Sequence, residues 1–589
     1  MNDIFPKYAQ ETRSLTTSLP LLSHQSNGNS GTETASVPSR SQLILPSVQP
    51  SAANNGVDSP HVVVSETSPL LPPSRESMNK RQMFWEELPI LARPVFGTQA
   101  LEYSVVTAPT VSIGHLSTKA LAAIALGSMT ASVSGFIIIQ GLSSALDTVL
   151  PSAWTSSHPY LVGLWAQRMA VVAAISLVVS SIAHNIFNSS RLHQPTCIIW
   201  FNSESILLLL KQDPEVAALA ALYLRWVSLG LPAYAFNNIS RRYFQSQGLF
   251  SIPTRIMLIV IPINAFLDCI LVWGPKPIKL AFIGTPIATA ISFNLVSSLF
   301  IIWAVFFVPK TAWCPISGKM FTGLGALVRL GISGVGQVAS EWWTWELVAL
   351  GASLLGPVAL ATQSVLLVST TTTYQAPYAL GVAASVRIGN LLGEHKPKRA
   401  AVSALVLALG VAAFTSAMFV AFRKSWAHIF NDDPRVAAFT RLKIEDILAE
   451  VVSITASILP LCALFQFFDA GATVTGGILR AQGKQLTGAF LNCSAYYMIG
   501  IPFGILLAFK YNLKLHGIWT GLAMSLFYCA VLGLWLAVMR ADWDWEVEKV
   551  KKRIEAERER DRKAGEFIEE GVKSRRVHDR ELGHVKDIR

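Results

Sequence analysis

Four carboxylates lie inside apolar stretches of this sequence, where few roles are open to a charged side chain. They are Glu102, Glu341, Glu346 and Asp469. Burying a charge in an apolar solvent costs roughly 3 kcal/mol or more, so such residues usually have a partner or a task. A desolvated carboxylate can take up and release a proton as its surroundings change. We therefore predict ion-coupling or substrate-binding roles for these four, with burial among hydroxyl and amide groups as the structural alternative.

Glu341 and Glu346 are five residues apart, which places them about 140° apart around an α-helix. At most one of them can then point directly into a central cleft, unless the helix distorts. Three tryptophans lie between the two acids, at Trp342, Trp343 and Trp345. Their faces are suited to a flat or cationic ligand. This segment therefore predicts a cleft wall that combines an acid with aromatic rings.

No motif of a soluble-type enzyme accompanies these acids. The segment from Gly477 to Gln485 has one residue too many for a phosphate-binding loop and lacks Ser or Thr after its lysine. Neither a Gly-x-Ser-x-Gly elbow nor a His-Glu-x-x-His pair occurs. The six cysteines are scattered singly, which argues against a zinc site and a disulfide framework. We expect no enzymatic activity, no metal and no cofactor beyond a coupling ion, H⁺ or alternatively Na⁺.

The elements that position the acids must be membrane-spanning helices. The chain of 589 residues is 51% hydrophobic and 14% charged, whereas soluble proteins carry about a quarter of their residues as charge. Apolar runs of about 20 residues recur, and each is long enough to cross roughly 30 Å of hydrocarbon. They predict an all-α polytopic membrane protein with twelve helices, near 88–112, 120–148, 162–186, 216–238, 253–274, 283–308, 325–353, 357–384, 400–422, 451–476, 486–509 and 516–539.

An internal repeat divides these helices into two sets of six. Ala120-Leu-Ala recurs as Ala359-Leu-Ala at an offset of 239, and Gln245-Ser-Gln-Gly recurs as Arg480-Ala-Gln-Gly at 235. Six spans is an even number, so both lobes insert in the same sense and are related by a pseudo-twofold axis along the membrane normal. Glu102 lies 239 residues before Glu341, so the two acids occupy equivalent places in the two lobes. A cleft between the lobes is the predicted substrate path.

The domain boundaries follow from these patterns. We predict a disordered cytoplasmic arm (1–80), an N-terminal lobe (85–308), a linker (309–324), a C-terminal lobe (325–540) and a charged cytoplasmic tail (541–589). The even number of spans and the basic flanking residues place both termini in the cytoplasm. In the tail, Glu546, Lys549 and Arg553 follow helical spacing, which is typical of a solvated helix.

The net charge of +11 is concentrated in loops and at the C-terminal end, which disfavours nucleic-acid binding and fits contact with anionic lipid. We expect the lipid bilayer and small organic molecules as partners, and a monomeric transporter. Glu66-Thr-Ser-Pro-Leu-Leu in the arm has the form of an acidic dileucine sorting signal. It favours the vacuolar membrane, with the plasma membrane as the alternative.

Several motifs together closely resemble the multidrug and toxic compound extrusion (MATE) family, particularly its eukaryotic and fungal branch. The resemblance covers about residues 85 to 545. The motifs are Gly114-His-Leu, Ala145-Leu-Asp-Thr, Gly163 through Arg168, Gln212-Asp-Pro-Glu, Gln245-Ser-Gln-Gly, Glu341-Trp-Trp, Ala384-Ser-Val-Arg-Ile-Gly-Asn, Gly476-Gly-Ile-Leu-Arg and Gly517-Ile-Trp.

The resemblance implies two six-helix lobes around a V-shaped cleft, through which organic cations leave in exchange for protons or sodium. Glu341 and Asp469 match the acidic coupling positions of the family. Glu346 is a second family glutamate, and Gln99 matches a polar position of the first helix. The remaining charged motif residues, to which we assign gating or structural roles, are Asp147, Arg387 and Arg480.

The sequence departs from the family in three places. Val368 stands where animal members carry a glutamate in the eighth helix. The turn after Asp147-Thr carries Ser152, Thr155 and Ser157 in place of a glutamine and glycines, which makes it bulkier. Two insertions, near 180–197 and 437–451, are either loop extensions or translated introns.

Three functions remain open from the sequence alone. The leading prediction is a secondary active antiporter that exports xenobiotics, organic cations or metabolites in exchange for protons. A lipid flippase of the same superfamily is the related alternative, but it would require a strongly cationic cleft. A non-transporting membrane receptor or membrane-embedded enzyme is the alternative from another class, and it would have no evident use for two equivalent lobes with matching carboxylates.

Overall fold

The computed structural model describes residues 89, 91–102, 118–186, 196–209, 212–275, 277–394, 398–423, 443–560 and 562–563. The predicted N-terminal arm, with its dileucine sequence, lies outside these residues, as does the Gly114-His-Leu motif. The central part of the first predicted insertion and the beginning of the second also fall outside them.

The described residues are almost entirely helical and contain no strand. The N-terminal lobe (N-lobe) consists of α1 (91–102), α2 (Lys119–Trp154), α3 (Leu161–Ile186), α4 (Pro214–Ser246), α5 (Ser251–Trp273) and α6 (Ala281–Phe306). The C-terminal lobe (C-lobe) consists of α7 (Leu324–Leu354), α8 (Pro357–Gly393), α9 (Lys398–Ala421), α10 (Lys443–Ala481), α11 (Gln485–Lys510) and α12 (Lys514–Met539). A further helix, α13 (543–560), follows them. Two short helices, Thr196–Phe201 and Ser203–Leu209, separate α3 from α4.

Eight helices in the described part of the chain are long and apolar enough to cross a membrane. They are α2, α4, α5, α6, α9, α10, α11 and α12. The helices α7 and α8 are not among these eight, although they have 31 and 37 residues. Both helices carry many polar residues, which lower their mean hydropathy. In α8, for example, one serine and four threonines immediately precede Tyr374.

Several helices continue beyond the apolar runs that predicted them. The predicted fourth helix ends at 238, whereas α4 extends to Ser246. The predicted eighth and tenth helices end at 384 and 476, whereas α8 and α10 extend to Gly393 and Ala481. The apolar pattern ends where polar side chains begin. The helical backbone hydrogen bonds continue past that point, because polar residues are compatible with a helix. These last turns bring arginines into the helices.

Each lobe has an apolar core of its own. In the N-lobe, Phe244, Ile256 and Phe300 belong to a buried cluster formed by α4, α5 and α6. In the C-lobe, Phe465 and Trp519 belong to a cluster between α10 and α12. A third, larger cluster contains residues of both lobes and of α13. Each lobe therefore has a smaller apolar cluster of its own, and the largest cluster joins the two lobes and α13.

The lobes meet at one end of the bundle, where α2, α4, α8 and α10 end; we call this the tail end. Here α2 and α7 approach at glycines, and a Cβ added at Gly141 would lie 2.5 Å from the Cα of Val335. A Cβ at Gly334 would meet the Ser144 hydroxyl and the Gly141 carbonyl. Small residues at helix crossings allow this close backbone approach in membranes.

The helix α13 packs against the tail end of both lobes. Trp543, Val550 and Ile554 are buried in the large apolar cluster. Glu557 accepts a hydrogen bond from Nη1 of Arg168 in α3 at 2.6 Å, and the two side chains are 7% and 1% exposed. The prediction of a solvated helix is therefore wrong for this face of α13. An apolar stripe at helical spacing was present in the sequence, but the surrounding charges concealed it.

Candidate functional site

A cavity with a volume of about 310 Å³ lies between the two lobes. Both lobes contribute to its wall, the N-lobe mainly through α1, α2 and α4 and the C-lobe mainly through α7, α8, α10 and α11. Four carboxylates and three guanidinium groups line it: Glu102, Asp147, Glu341, Asp469, Arg241, Arg242 and Arg480. So many charged groups between apolar helices are costly without a function, which makes this cavity the candidate functional site.

Two of these acids lie on the C-lobe wall. Glu341 on α7 accepts a hydrogen bond from the hydroxyl of Tyr374 on α8, at 3.3 Å. Asp469 on α10 is 6% exposed and lies close enough to Glu341 for the two carboxylates to interact electrostatically. Within the described part of the chain, neither acid has a cationic partner within 4 Å. This wall therefore carries two neighbouring acids with no arginine or lysine in direct contact, and the nearest guanidinium interaction of Glu341 is an electrostatic one with Arg480.

The turn of α7 that carries Glu341 is held by α11. The amide of Asn492 donates to the Gln337 carbonyl at 3.1 Å, and the Tyr497 hydroxyl donates to the Ser340 carbonyl at 3.1 Å. Around Tyr497, α11 is a π-helix over Ser494–Gly500, a geometry often found near functional sites. Both bonds hold the turn of α7 that leads into Glu341, so its carboxylate projects from a rigid support.

The N-lobe wall carries a different arrangement. Arg241 on α4 donates through Nη2 to Glu102 at 2.7 Å and through Nη1 to the amide oxygen of Gln99 at 3.1 Å. Gln99 and Glu102 are three residues apart on α1 and share a face with Thr98 and Val95, which also line the cavity. The acid of this wall is therefore already paired with a guanidinium.

The tail end of the cavity is a network that joins the lobes. Asp147 on α2 accepts a hydrogen bond from Nε of Arg242 at 2.8 Å, and its other oxygen lies 3.7 Å from Nε of Arg480 in the C-lobe. Thr148 donates to the Arg480 carbonyl at 2.6 Å and accepts from Gln485 at 2.6 Å. These contacts close the cavity toward α13.

Aromatic rings occupy the wall between the charged groups. Trp342 lines the cavity beside Glu341, and the rings of Tyr374 and Tyr378 lie 5.6 Å apart on α8. Across the cavity, Phe136 and Tyr234 have ring centroids 4.5 Å apart. Aromatic faces attract cations as well as apolar surface. The cavity therefore combines flat apolar faces with charges at defined positions.

Comparison with known proteins assigns this architecture to a family. The family model MatE matches residues 94–270 and 335–506, one segment in each lobe. An uncharacterized transporter of Schizosaccharomyces pombe is 34% identical over 476 residues, which are 80% of this chain and 82% of that protein. The chain belongs to the MATE family.

Other relatives and a solved structure agree. Multidrug and toxin extrusion protein 2 of Mus musculus is 29% identical over 457 residues, which cover 77% of this chain and 74% of that protein. The crystal structure of the eukaryotic MATE transporter AtDTX14 matches with a TM-score of 0.70 at 27% identity, over 80% of this chain and 99% of that chain. The resemblance inferred from the motifs is confirmed, and the chain is a multi-pass membrane transporter of the MATE fold.

Not every residue selected from the sequence lies in this MATE cavity. Glu341, Asp469, Glu102, Gln99, Trp342, Asp147 and Arg480 line it. Glu346, Trp343, Trp345 and Arg387 do not. Trp345 packs against Phe465 and Trp519 in the C-lobe core, with ring centroids 6.0 Å away from each. Successive residues of a helix are about 100° apart, so Trp343 and Glu346 lie about 160° and 140° from Glu341 around α7 and turn away from the cavity. Trp345 lies only about 40° from Glu341, but it is one turn further along α7 and packs into the C-lobe core instead of the cavity.

The cavity also contains charged and aromatic residues that the sequence patterns did not single out, among them Arg241, Arg242, Tyr374 and Tyr378. The arginines follow the predicted end of the fourth helix, so we did not place them in a span. The available signal was the helical spacing of Tyr234, Asn238, Arg241 and Gln245, which gives α4 a polar face that only a cavity can satisfy. Tyr374 and Tyr378 are four residues apart, which also places them on one face of a helix.

The two departures from the family pattern that the structure describes have separate positions. Thr155 follows α2, and its hydroxyl donates to the Asn390 carbonyl of α8 at 2.8 Å. The bulkier turn thus forms a contact between the lobes at the tail end. Val368, the other predicted departure, is 37% exposed on α8 and does not line the cavity.

Proposed function

We propose that this MATE protein is a proton-coupled antiporter that exports amphipathic organic cations or metabolites through the cavity between its lobes. The observation that carries the proposal is the pair of acids Glu341 and Asp469 on the C-lobe wall. Two carboxylates in one apolar site repel each other, and a proton or a cationic group relieves this repulsion. Protons and cargo then compete for the same acids, which is the requirement for exchange.

The other charges of the cavity support this assignment. Glu102 is paired with Arg241, and Asp147 with Arg242 and Arg480. Proton uptake by either of these acids would leave a guanidinium unpaired, whereas a proton on Glu341 or Asp469 leaves no such charge. We therefore assign coupling to the C-lobe pair. H⁺ is our proposed coupling ion, and Na⁺ is the alternative.

The direction of transport follows from the proposed topology. With both termini in the cytoplasm, the tail end faces the cytoplasm, and the opposite end faces the vacuole lumen or the exterior. A proton gradient directed into the cytoplasm would drive export at either membrane. Protons entering from the far side would displace cargo outward. We favour the vacuolar membrane because of the dileucine sequence in the arm.

The experiment uses purified protein in proteoliposomes loaded with a fluorescent organic cation, with pH and sodium gradients imposed separately. We expect exchange under the pH gradient and none under the sodium gradient. Glu341→Gln should lower the exchange rate by about tenfold or more, because an amide cannot take up and release a proton. Undiminished exchange in this variant would reject the role of Glu341, and exchange driven only by sodium would reject proton coupling.

Glu346→Gln is the matched control. It makes the same change on the same helix, five residues away and outside the cavity. We expect it to retain the wild-type exchange rate. Equal losses in both variants would indicate a general effect of charge removal on α7 rather than coupling through the cavity.

Two other functions fit the cavity less well. A lipid flippase requires a strongly cationic cleft for a phosphate head group, whereas acids outnumber arginines here by four to three. A receptor would bind the dye without gradient-driven flux, which the same proteoliposomes distinguish. Lipid scrambling in the absence of dye exchange would favour the flippase.

A further inference from the structure

We propose that Arg241 forms an anion-binding subsite on the N-lobe wall, so that the preferred cargo is a zwitterion rather than a simple cation. The inference rests on the proposed exchange function, in which the C-lobe acids bind the cationic group. The anionic group of the same cargo molecule, a carboxylate or a similar oxyanion, binds the guanidinium on the opposite wall.

The internal repeat shows that the two walls carry different charges at equivalent positions. The offset of 235 residues that relates the end of α4 to the end of α10 pairs Tyr234 with Asp469 and Arg241 with Gly476. All four residues line the cavity. The C-lobe thus has an acid where the N-lobe has a phenol, and the N-lobe has an arginine where the C-lobe has no side chain.

The first helices of the two lobes complete this comparison. Glu102 and Glu341 are equivalent at an offset of 239, so each wall has one acid in common. The C-lobe adds a second acid, which leaves it with an excess of negative charge. The N-lobe adds Arg241, which neutralises its acid. The difference in charge between the walls therefore arises at two pairs of equivalent positions, Tyr234 with Asp469 and Arg241 with Gly476, rather than from one substitution.

The geometry of Arg241 leaves it able to exchange partners. Its two hydrogen bonds go to one oxygen of Glu102 and to the neutral amide of Gln99. A guanidinium has five donors, and it binds a carboxylate most strongly through two parallel bonds. Glu102 does not form such a pair of parallel bonds with Arg241. A carboxylate of the cargo could form both bonds, while Glu102 would remain close by.

The other two arginines of the cavity have a different role. Arg242 is held by Asp147 and also donates to the Asn238 carbonyl at 3.2 Å. Arg480 approaches the same aspartate from the other lobe, at 3.7 Å. Both arginines therefore share Asp147, the acid at the contact between the lobes, although only Arg480 approaches it from the C-lobe. Arg241 instead binds Glu102 and Gln99 of α1, so this arginine can bind cargo without disturbing the contacts of Asp147.

The wall between the two subsites is aromatic. Tyr374 donates to Glu341 on the C-lobe side, and its ring lies 5.6 Å from that of Tyr378. Tyr378 in turn lies close enough to Arg241 to interact with it electrostatically. A flat molecule on these rings would place one end near the acids and the other near the guanidinium. This arrangement fits an aromatic cargo with opposite charges at its two ends.

A matched pair of dyes tests the subsite: a rhodamine free acid and its methyl ester. Both carry the same xanthylium cation, and only the free acid also carries a carboxylate. Equilibrium binding of each dye to the full-length protein in detergent gives a ratio of Kd values, ester to free acid. We expect Arg241→Gln to lower this ratio roughly tenfold or more, as for the loss of a charge-assisted hydrogen-bonded pair.

A second variant gives the opposite expectation. Glu102→Gln removes the carboxylate that competes for the guanidinium, so it should raise the ratio several-fold. Arg225→Gln is the control, because Arg225 lies on the same helix, is 44% exposed and does not line the cavity; it should leave the ratio unchanged. An unchanged ratio in Arg241→Gln, or a lower ratio in Glu102→Gln, would overturn the proposal.

The readout separates this inference from the proposed function. Exchange of the ester in proteoliposomes tests coupled cation transport, whereas the Kd ratio tests the N-lobe subsite alone. Gradient-driven exchange of the ester, together with a ratio that Arg241→Gln does not alter, would reject the subsite and retain the antiporter. An altered ratio without gradient-driven exchange would retain the subsite and reject the antiporter.

Discussion

At the scale of single residues, Trp342 and Trp343 provide a direct test of which surface binds cargo. The two are neighbours and are almost equally exposed, at 42% and 43%. Only Trp342 lines the cavity, beside Glu341. Exposure by itself therefore does not identify the functional ring, since a residue of a membrane helix can be exposed to lipid as well as to a cleft.

We expect Trp342→Ala to weaken binding of a cationic dye by several-fold to about thirtyfold. The reason is the loss of a cation–π contact, worth about 1–2 kcal/mol in a desolvated site. Fluorescence titration in detergent measures the effect. Trp343→Ala removes the same ring one residue away and should leave the affinity unchanged; equal losses in both variants would contradict the assignment of Trp342 to the binding wall.

The sequence indicated some site residues better than others, for physical reasons. Glu341 and Asp469 could be predicted because an acid inside an apolar run has a high energetic cost and few explanations. Arg241 could not, because it follows the apolar part of its helix and looks like the flank of a span. The three neighbouring tryptophans predict that Trp345 lies in the cleft. Only the packing of α7 against the other helices decides which ring lines the cavity.

At the scale of elements, the crossing of α2 and α7 determines how closely the lobes approach. A Cβ at Gly334 would meet atoms of Ser144 and Gly141, whereas a Cβ at Gly325 on the same helix would meet nothing within 4 Å. The two glycines therefore have different structural roles. Gly334 allows backbone contact between the lobes, and Gly325 faces open space.

Gly334→Ala should destabilise the protein by about 1–3 kcal/mol, the usual cost of overpacking a tight contact. A lower melting temperature of the purified protein would report this loss. Gly325→Ala should leave the melting temperature unchanged or raise it, because alanine favours helix over glycine. Equal melting temperatures for the two variants would show that the crossing is not as tight as the structure indicates.

The number and order of the helices were predictable, but not their ends. Apolar runs specify which segments enter the bilayer, because each must bury about 20 residues in hydrocarbon. The last turns of α4, α8 and α10 lie beyond those runs, and those of α8 and α10 contact the other lobe through Asn390 and Arg480. Contacts of this kind depend on the packing of distant segments, which local hydropathy does not encode. The docking of α13 against both lobes likewise depends on contacts with distant segments, so local hydropathy does not predict it.

At the scale of the whole molecule, transport through a cavity that is closed at the tail end requires the lobes to separate there. Thr155 on the N-lobe and Gly393 on the C-lobe lie at that contact. A Cβ at Gly393 would be 3.3 Å from the Cβ of Thr155, close to the range in which disulfides form. This pair can therefore be used to lock the lobes together.

We expect the double variant Thr155→Cys with Gly393→Cys to form a disulfide under mild oxidation and to lose exchange activity. A reducing agent should restore exchange, and the single variant Thr155→Cys should be insensitive to oxidation. Gel mobility after proteolysis between the lobes measures the cross-link, and dye exchange measures its effect. Full exchange by completely cross-linked protein would show that this contact does not open during transport.

The buried ion pair between Arg168 and Glu557 also has a consequence for biosynthesis. The two residues are 389 positions apart, and the N-lobe residue is made first. At 5–20 residues per second, a ribosome needs roughly 20 to 80 seconds to synthesise the intervening chain. During that time α3 carries an arginine whose carboxylate partner does not yet exist. We expect the nascent N-lobe to hold this guanidinium in water at the membrane surface, and its burial to wait until α13 has left the ribosome.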